Sequence, residues 1–391
     1  MDFTPHIPSD IHGNFSNELI KKSEDVIIQS AKLTGNIAPE ILLEVKNILR
    51  TVNSYYSNRI ESEGTGILGI DKALNKEYST DTKEKKLQIL AVRHIQTQEF
   101  IESYINTHDI CVYATNFIKL IHKEFYSKEG MQVFLDIKDK DLQVKMIPGQ
   151  IREENVFIGM HHAPASSKIS GMLNDYSNLY EQSRHKPLAH KLIYILSSHH
   201  RFVWIHPFLD GNGRVSRLLL DAAFLAQNIE GYGIWNLSRG LARTVETYKS
   251  SLKYADTLQL NQKDGKGYLS AQALEKFVHY MLDTALDQIT YMSEVLRLDT
   301  LTQRIENFVT LLDANMYHEK PLPKYSLLIF KHLLLYGSME RGKAGQIIGK
   351  GLRTGSGLLS SLEKRGYLTS DSPKGKVRIK FNVFFCSTHL S

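Results

Sequence analysis

Apolar positions recur at helical spacing over residues 17–35 and 38–57; in the second stretch Leu42, Val45, Ile48, Leu49 and Val52 share one face. A glycine-rich stretch, 61–69, breaks the pattern, and helical spacing returns over 71–78, 82–105 and 109–125. Residues 126–168 lack a helical period and contain Pro148, Gly149 and the β-prone run Val156-Phe157-Ile158, which suits a hairpin. Helices resume near residue 169 and dominate to 312. Within them, residues 189–205 and 218–227 are mostly apolar and proline-free, so they read as two core helices joined by a short polar loop. Asp264-Gly265-Lys266-Gly267 reads as a turn, because it lacks the alternating acids and terminal Glu of a calcium loop.

The tail has its own rhythm. Residues 318–325, with Pro321 and Pro323, read as a linker, followed by helices over 327–336, 343–348 and 355–364. Lys374, Lys376, Arg378 and Lys380 then alternate with smaller or apolar residues as a basic ribbon. This order is similar to a winged helix, with the third helix as the reading helix and the four basic residues as phosphate contacts. Gly355-Ser356-Gly357 offers little to base edges, so sequence preference would be weak. The alternative is a winged helix used for protein contacts.

Composition changes the picture in two ways. The net charge of +6 is unevenly placed: residues 320–391 hold 13 Lys/Arg and 3 Asp/Glu, so the rest of the chain carries −4. That asymmetry marks a separate basic module with an acidic partner, DNA or protein. The N-terminal residues lack the basic and apolar regions of a signal peptide, and the apolar runs are shorter than a membrane span. The expected compartment is the cytoplasm, with no membrane partner. Cys111 and Cys386 read as two reduced thiols without a catalytic role.

The loop between the two core helices holds the densest chemistry. It reads His206-Pro207-Phe208-Leu209-Asp210-Gly211-Asn212-Gly213-Arg214, with Arg217 one turn later. Gly211, Asn212 and Gly213 permit a tight turn that aims backbone N–H groups at an anion at a helix start. Arg214 and Arg217 share a helix face and suit phosphate oxygens. Asp210 is a hard oxygen ligand suited to Mg2+, and His206 is a base that titrates near neutrality.

This nonapeptide and Arg217 resemble the signature of the Fic family, His-Pro-Phe-x-(Asp/Glu)-Gly-Asn-(Gly/Lys)-Arg-x-x-Arg, at every position. Residues 148–159 resemble the stretch holding the family's flap hairpin, and 235–248 the segment closing the core behind the motif; the resemblance covers about 50–310. It implies a mainly α fold: a Fic-like helical core with a small β-hairpin flap, plus the C-terminal winged helix-turn-helix domain. The implied reaction is transfer of AMP from MgATP onto a Ser, Thr or Tyr hydroxyl of a target protein or of the chain itself. His206 would be the base, and Asn212, with amides near Gly211 and Gly213, would stabilise the α-phosphate. Arg214 and Arg217 would orient the outer phosphates. Asp210 would hold the metal, and Val156, Phe157, Ile158 and Gly159 would dock the target as an added strand. Tyr248 resembles the first of a tyrosine pair beside the nucleoside; Lys249 replaces the second.

Upstream, Ser57-Asn58-Arg59-Ile60-Glu61-Ser62 resembles the family's inhibitory motif, (Ser/Thr)-x-x-x-Glu-(Gly/Asn). Ser57 and Glu61 match; Ser62 departs. The resemblance implies that Glu61 pairs with Arg217 and occupies the guanidinium that should grip the γ-phosphate. The expected segments are 1–108 (N-terminal helical region, inhibitory helix near 45–64), 109–312 (core and helical extension), 313–325 (linker) and 326–391 (winged helix). Competing readings are removal of AMP by water positioned through Glu61, and a DNA-bound regulator whose Fic site senses nucleotide. Phosphate or phosphocholine transfer and a homodimer stay open.

Overall fold

A computed structural model describes residues 5–381 except 36, 140, 141, 159, 160, 262, 266 and 315–319. The chain begins with helices α1 (Asn17–Lys32), α2 (Pro39–Ile60), α3 (Ile67–Leu74), α4 (Thr82–Thr107) and α5 (Thr115–Tyr126). Two antiparallel hairpins follow, β1 (Asp136–Asp139) with β2 (Leu142–Lys145), and β3 (Phe157–Ile158) with β4 (His161–His162). Then come α6 (Ser166–Glu181), α7 (Leu188–Ile205), α8 (Asn212–Ala226), α9 (Leu237–Arg243), α10 (Val245–Ala255), α11 (Ala271–Val295) and α12 (Leu298–Asp313). The tail adds α13 (Ser326–Tyr336), β5 (Ser338–Met339), α14 (Ala344–Ile347), α15 (Leu352–Lys364), β6 (Leu368–Thr369) and β7 (Val377–Ile379). The chain is mainly α, and its strands form small antiparallel sheets.

Several expected boundaries move, among them the start of the fifth helix, expected at 109 and found at Thr115, and the end of the third, expected at 78 and found at Leu74. The third helix starts at Ile67, not near 71, because Ile67 and Ile70 bury on one face and Gly66 sits extended at its N-cap. Gly69 is therefore inside the helix, where a Cβ would meet the Thr65 hydroxyl. Helix α2 runs to Ile60, three residues beyond the expected end.

The chain condenses into two units built from interleaved segments. One comprises Met1–Ser30, Asn53–Tyr232 and Asn236–Gln288; the other comprises Ala31–Val52, Gly233–Trp235 and Ile289–Ser391. These differ from the consecutive segments 1–108, 109–312, 313–325 and 326–391 expected above, because segments distant in the chain share one core.

In the first unit α8 is the central helix. Val215, Leu218, Leu219, Leu220, Ala222, Ala223 and Phe224 are all buried, on more than one face, as an interior helix requires. Helices α4, α5 and α7 pack against it. In the second unit α13, α14 and α15 bury Ile329, Phe330, Leu333, Leu358, Leu359 and Leu362. Its three strands form an antiparallel sheet in the order β5-β7-β6, with Val377 and Ile379 of the central strand buried. Helices α14 and α15 approach so closely that a Cβ on Gly355 would meet the Gly345 backbone. Arg353, Thr354, Ser356 and Gly357 of α15 face outward. Of the expected phosphate contacts, Arg378 is instead bound to Asp371 (2.6 Å) and only one-fifth exposed. A charged strand at the centre of a sheet needs local acids, and the Glu44 carboxylate also faces Arg378 and Lys380. Burial pushes Glu44 up, against the pull of these two cations. Among the described residues, no helix is long and apolar enough to cross a membrane. Cys386 lies outside the described residues.

Candidate active site

The loop between α7 and α8 is set by its own sequence. Pro207 disfavours helical geometry at the residue before it, so α7 stops at Ile205. His206 takes the left-handed conformation (φ +50°), with its N–H still donating to the Phe202 carbonyl (3.1 Å). Phe208 is fully buried and stacks on His122 at 4.0 Å, which anchors the loop. Gly211 has φ +79°, and a Cβ there would run into the Tyr126 ring, so the position needs glycine twice over. The first intrahelical bond of α8 runs from the Val215 N–H to the Gly211 carbonyl (2.9 Å). The amides of Asn212, Gly213 and Arg214 thus lie in the first turn, ahead of that bond, where a helix favours an anion.

Two expected roles change. The Asn212 side chain, expected to stabilise an α-phosphate, is engaged inside the loop. Its Oδ1 accepts from the Phe208 N–H (2.9 Å) and its Nδ2 donates to the Phe208 carbonyl (2.8 Å). A two-bond clasp of this kind fixes the loop's shape, which makes Asn212 a positioning residue. The Gly211 amide is also taken, donating to the Asp210 carboxylate (2.6 Å). Asp210 is itself exposed, and its carbonyl accepts from His122 (3.3 Å).

His206 has its carbonyl held by Arg152 Nε (2.7 Å). The same guanidinium donates to the Glu154 and Pro164 carbonyls (both 2.6 Å), and the Arg152 N–H donates to the Pro207 carbonyl (3.0 Å). Arg152 thus ties the segment leading into the hairpin to the His206 loop. Sequence reading missed it; its only signal was a basic residue inside 148–159. Burial pushes the His206 imidazole down to about 4, helped by Arg152 and His161, so it is neutral near pH 7. A neutral imidazole is the form that can accept a proton.

Both arginines of α8 are buried and engaged. Arg217 Nη2 contacts Glu61 Oε1 (2.7 Å) and the Ser57 carbonyl (2.9 Å), and its Nε donates to the Ser57 hydroxyl (2.8 Å). Burial raises the Glu61 carboxyl, but Arg217 and Arg214 outweigh it and hold the group below its usual range. Arg214 donates to Asn58 Oδ1 (3.1 Å), to the Tyr126 hydroxyl (3.2 Å) and to the Glu63 carboxylate. Glu63 was not singled out by the sequence; its signal is an acid two residues past Glu61. Ser62 between them has φ +59°, the left-handed region where Gly and Asn are at ease. The Glu63 N–H reaches back to the Asn58 carbonyl (3.0 Å) and closes the turn.

A cavity of about 760 Å3 brings part of this set together, while Asp210, Asn212 and Arg214 lie outside its wall. Its wall includes Glu61, His206, Gly213, Arg217, Tyr248 and Lys249. Tyr248 is buried and its hydroxyl meets His199 Nε2 (2.7 Å), so it lines the wall with its ring, and the exposed Lys249 follows it. Ile158 of the hairpin also reaches the cavity, while Phe157 is exposed and Val156 precedes the strand; Gly159 lies outside the described residues. Among the described residues, no cluster of three acidic, His or Cys side chains could hold a metal. One exposed carboxylate, Asp210, with phosphate oxygens and water to complete the shell, suits Mg2+ rather than a metal caged by protein.

Residues 113–224 match the family model described as the Fic/DOC family. They form a Fic domain. Curated relatives agree over this region: 77 residues are 35% identical to a protein adenylyltransferase Fic of Aedes aegypti, covering 20% of this chain and 15% of that protein. The same length is 34% identical to a protein adenylyltransferase Fic of Nematostella vectensis, covering 18% of that protein. The match therefore spans less than a fifth of the length of these relatives. A solved Fic family protein from Desulfovibrio desulfuricans superimposes with TM-score 0.51 over 97% of this chain and 98% of its own, at 16% identity. A Fic-domain signalling protein from Bacteroides thetaiotaomicron gives 0.52 over 70% of this chain and 96% of its own, also at 16%. At that identity the likeness is one of fold.

Proposed function

We propose that this protein is a protein adenylyltransferase that moves AMP from MgATP to a hydroxyl of a target protein and is held back by its own Glu61. The observation that carries the reading is one cavity walled by His206, Gly213, Arg217 and Glu61 together. The neutral His206 imidazole takes the proton of the incoming Ser, Thr or Tyr hydroxyl. The hydroxyl oxygen bonds to the α-phosphorus, the bond to the bridging oxygen breaks, and pyrophosphate leaves. First-turn amides of α8 stabilise the α-phosphate oxygens as charge builds. Arg214 and Arg217 hold the outer phosphates. Asp210 would hold Mg2+ with phosphate oxygens, and the ion would supply charge neutralisation at the leaving pyrophosphate. The exposed Phe157 and Ile158 on β3 offer a short edge to which a target strand can add.

Glu61 occupies Arg217, so a bound triphosphate would sit without its outer grip. The three helices and three-stranded sheet of the tail are read as a winged helix that contacts an acidic partner, DNA or protein. Because Glu61 shares the cavity with His206, the reverse reaction, removal of AMP by water, is the second reading.

The test is labelled-ATP transfer with wild type, Glu61→Gly and His206→Ala side by side. Glu61→Gly should transfer more than wild type. His206→Ala should lose about 10²–10⁴-fold while still binding ATP. Equal rates in wild type and His206→Ala would overturn the assignment. Release of AMP from a pre-labelled target by wild type, but not by Glu61→Gly, would favour the reverse reaction.

A further inference from the structure

Helix α2 meets α8 through three matched positions. Asn53 Nδ2 donates to Asp221 Oδ2 (2.9 Å), Ser57 accepts from Arg217 (2.8 Å), and Glu61 lies over Gly213, where a Cβ would meet its Oε1. On α2 and the residue just past its end the positions are 53, 57 and 61; on α8 they are 221, 217 and 213. Steps of four on both helices, read in opposite directions, place each set on one face of its helix with about 6 Å of rise per step. The Ser57 and Glu61 contacts both depend on Arg217, a group that must let go for a phosphate to take its place. The Asn53–Asp221 hydrogen bond includes neither arginine, although the Arg217 charge also acts on the Asp221 carboxyl.

We infer that Asn53 and Asp221 are positioning residues that set the register of α2 on α8 and so place Glu61 on Arg217. The inference rests on the autoinhibition proposed above and extends it away from the cavity. Neither residue lines that cavity. Asn53 is 4% exposed and donates a second time, to Gln98 Oε1 of α4 (2.8 Å), which ties α2 to the helix bundle as well. Its own Oδ1 is buried without a partner, a cost an apolar side chain would not incur, so the amide is retained for its donors. Asp221 is fixed from its other side by the Tyr232 hydroxyl, which donates to Oδ1. The amide therefore meets an oriented acceptor. A slip of one residue along α2 turns its face by about 100° and would carry Glu61 away from Arg217.

The test uses the full chain. Asn53→Asp, assayed at pH 8, sets two carboxylates against each other, and Asn53→Leu removes the donor without adding charge. The swap Asn53→Asp/Asp221→Asn restores a donor and an acceptor with their places exchanged. Two quantities are read: AMP transfer from labelled ATP, and amide hydrogen exchange over residues 53–61. Both single variants should exchange faster there and transfer about tenfold more than wild type, a loss of about 1.4 kcal/mol in inhibitory coupling. The swap should return both quantities to wild type.

Wild-type exchange and transfer in the single variants, with Glu61→Gly strongly active, would overturn the inference, as would a swap that stays released. If Glu61→Gly shows no transfer but exchange follows the pattern above, the register stands and the adenylyltransferase reading fails. If Asn53→Asp does not fold, the swap decides: folding with wild-type exchange supports the pairing, and failure to fold overturns it.

Discussion

The Glu63 carboxylate binds the Arg214 guanidinium two residues after Glu61 binds Arg217, so one turn at the end of α2 covers both arginines of α8 proposed to hold the outer phosphates. The left-handed Ser62 lets the two acids fall side by side. Removing Glu61 alone should therefore give partial release. Transfer by Glu61→Gly/Glu63→Gln should exceed that of Glu61→Gly by about tenfold, the effect of one charge-assisted contact of about 1.5 kcal/mol. Labelled-ATP assays on the single and double variants measure it. If Glu63→Gln adds nothing in the Glu61→Gly background, Glu63 merely orients Arg214.

Ser62→Gly should stabilise the turn. A non-glycine residue in the left-handed region costs roughly 1–2 kcal/mol, partly offset by the extra freedom glycine has when unfolded. The expected outcome is a higher urea midpoint, with transfer at or below the wild-type rate. A lower midpoint would show that the Ser62 side chain contributes more than its backbone strain costs.

Acid should destabilise the fold well above the carboxylate range. Burial pushes His94 and His199 down to about 3, and His122 and His206 down to about 4, from an ordinary 6.5. Between about 4 and 6.5 the unfolded chain binds protons that these folded imidazoles refuse. Stability therefore rises with pH across that window and is lost as pH falls through it. Asp221, raised by burial to about 6, acts the other way: the folded state holds its proton below that pH. The four imidazoles, joined by His200, which burial also lowers, outnumber Asp221 and Glu44, the carboxyls that burial raises, so the urea midpoint at pH 5 should lie below that at pH 7.5. An equal or higher midpoint at pH 5 would mean the imidazoles are not held neutral.

If the tail binds DNA, Arg378 should take little part, since Asp371 already holds it. Lys374, Lys376, Lys380 and Arg353 remain, and at about −0.9 per phosphate the log K against log salt slope for the full chain should be roughly −3.5. Lys376→Glu should weaken binding on all sequences alike, whereas Arg378→Ala should chiefly lower stability. No binding at low salt would assign the module to protein contacts.

Much of the site is legible in the sequence because it is local. Pro207 ends a helix, Gly211 allows a left-handed residue, and the three- and four-residue spacings put Arg214 with Arg217 and Ser57 with Glu61 on shared faces. These follow from backbone geometry, which acts over a few residues. The helical order of the chain is also readable from its apolar period, except where Ile67 and Ile70 outweigh the glycines around them.

Tertiary structure alone decided which polar groups meet. Asn212 looked like a phosphate ligand because its type fits, but only the folded loop shows the Phe208 backbone claiming both ends of its amide. Glu63 and Arg214, Asn53 and Asp221, and Arg152 and the His206 carbonyl lie 151, 168 and 54 residues apart. Their pairing comes from helix packing, which no local spacing encodes. The same holds for the wing: its basic alternation was visible, but whether those charges face solvent or acids depends on Asp371 and Glu44, which packing brings beside Arg378. Burial, too, is a property of the assembled core, and it is burial that keeps His206 neutral and able to serve as a base.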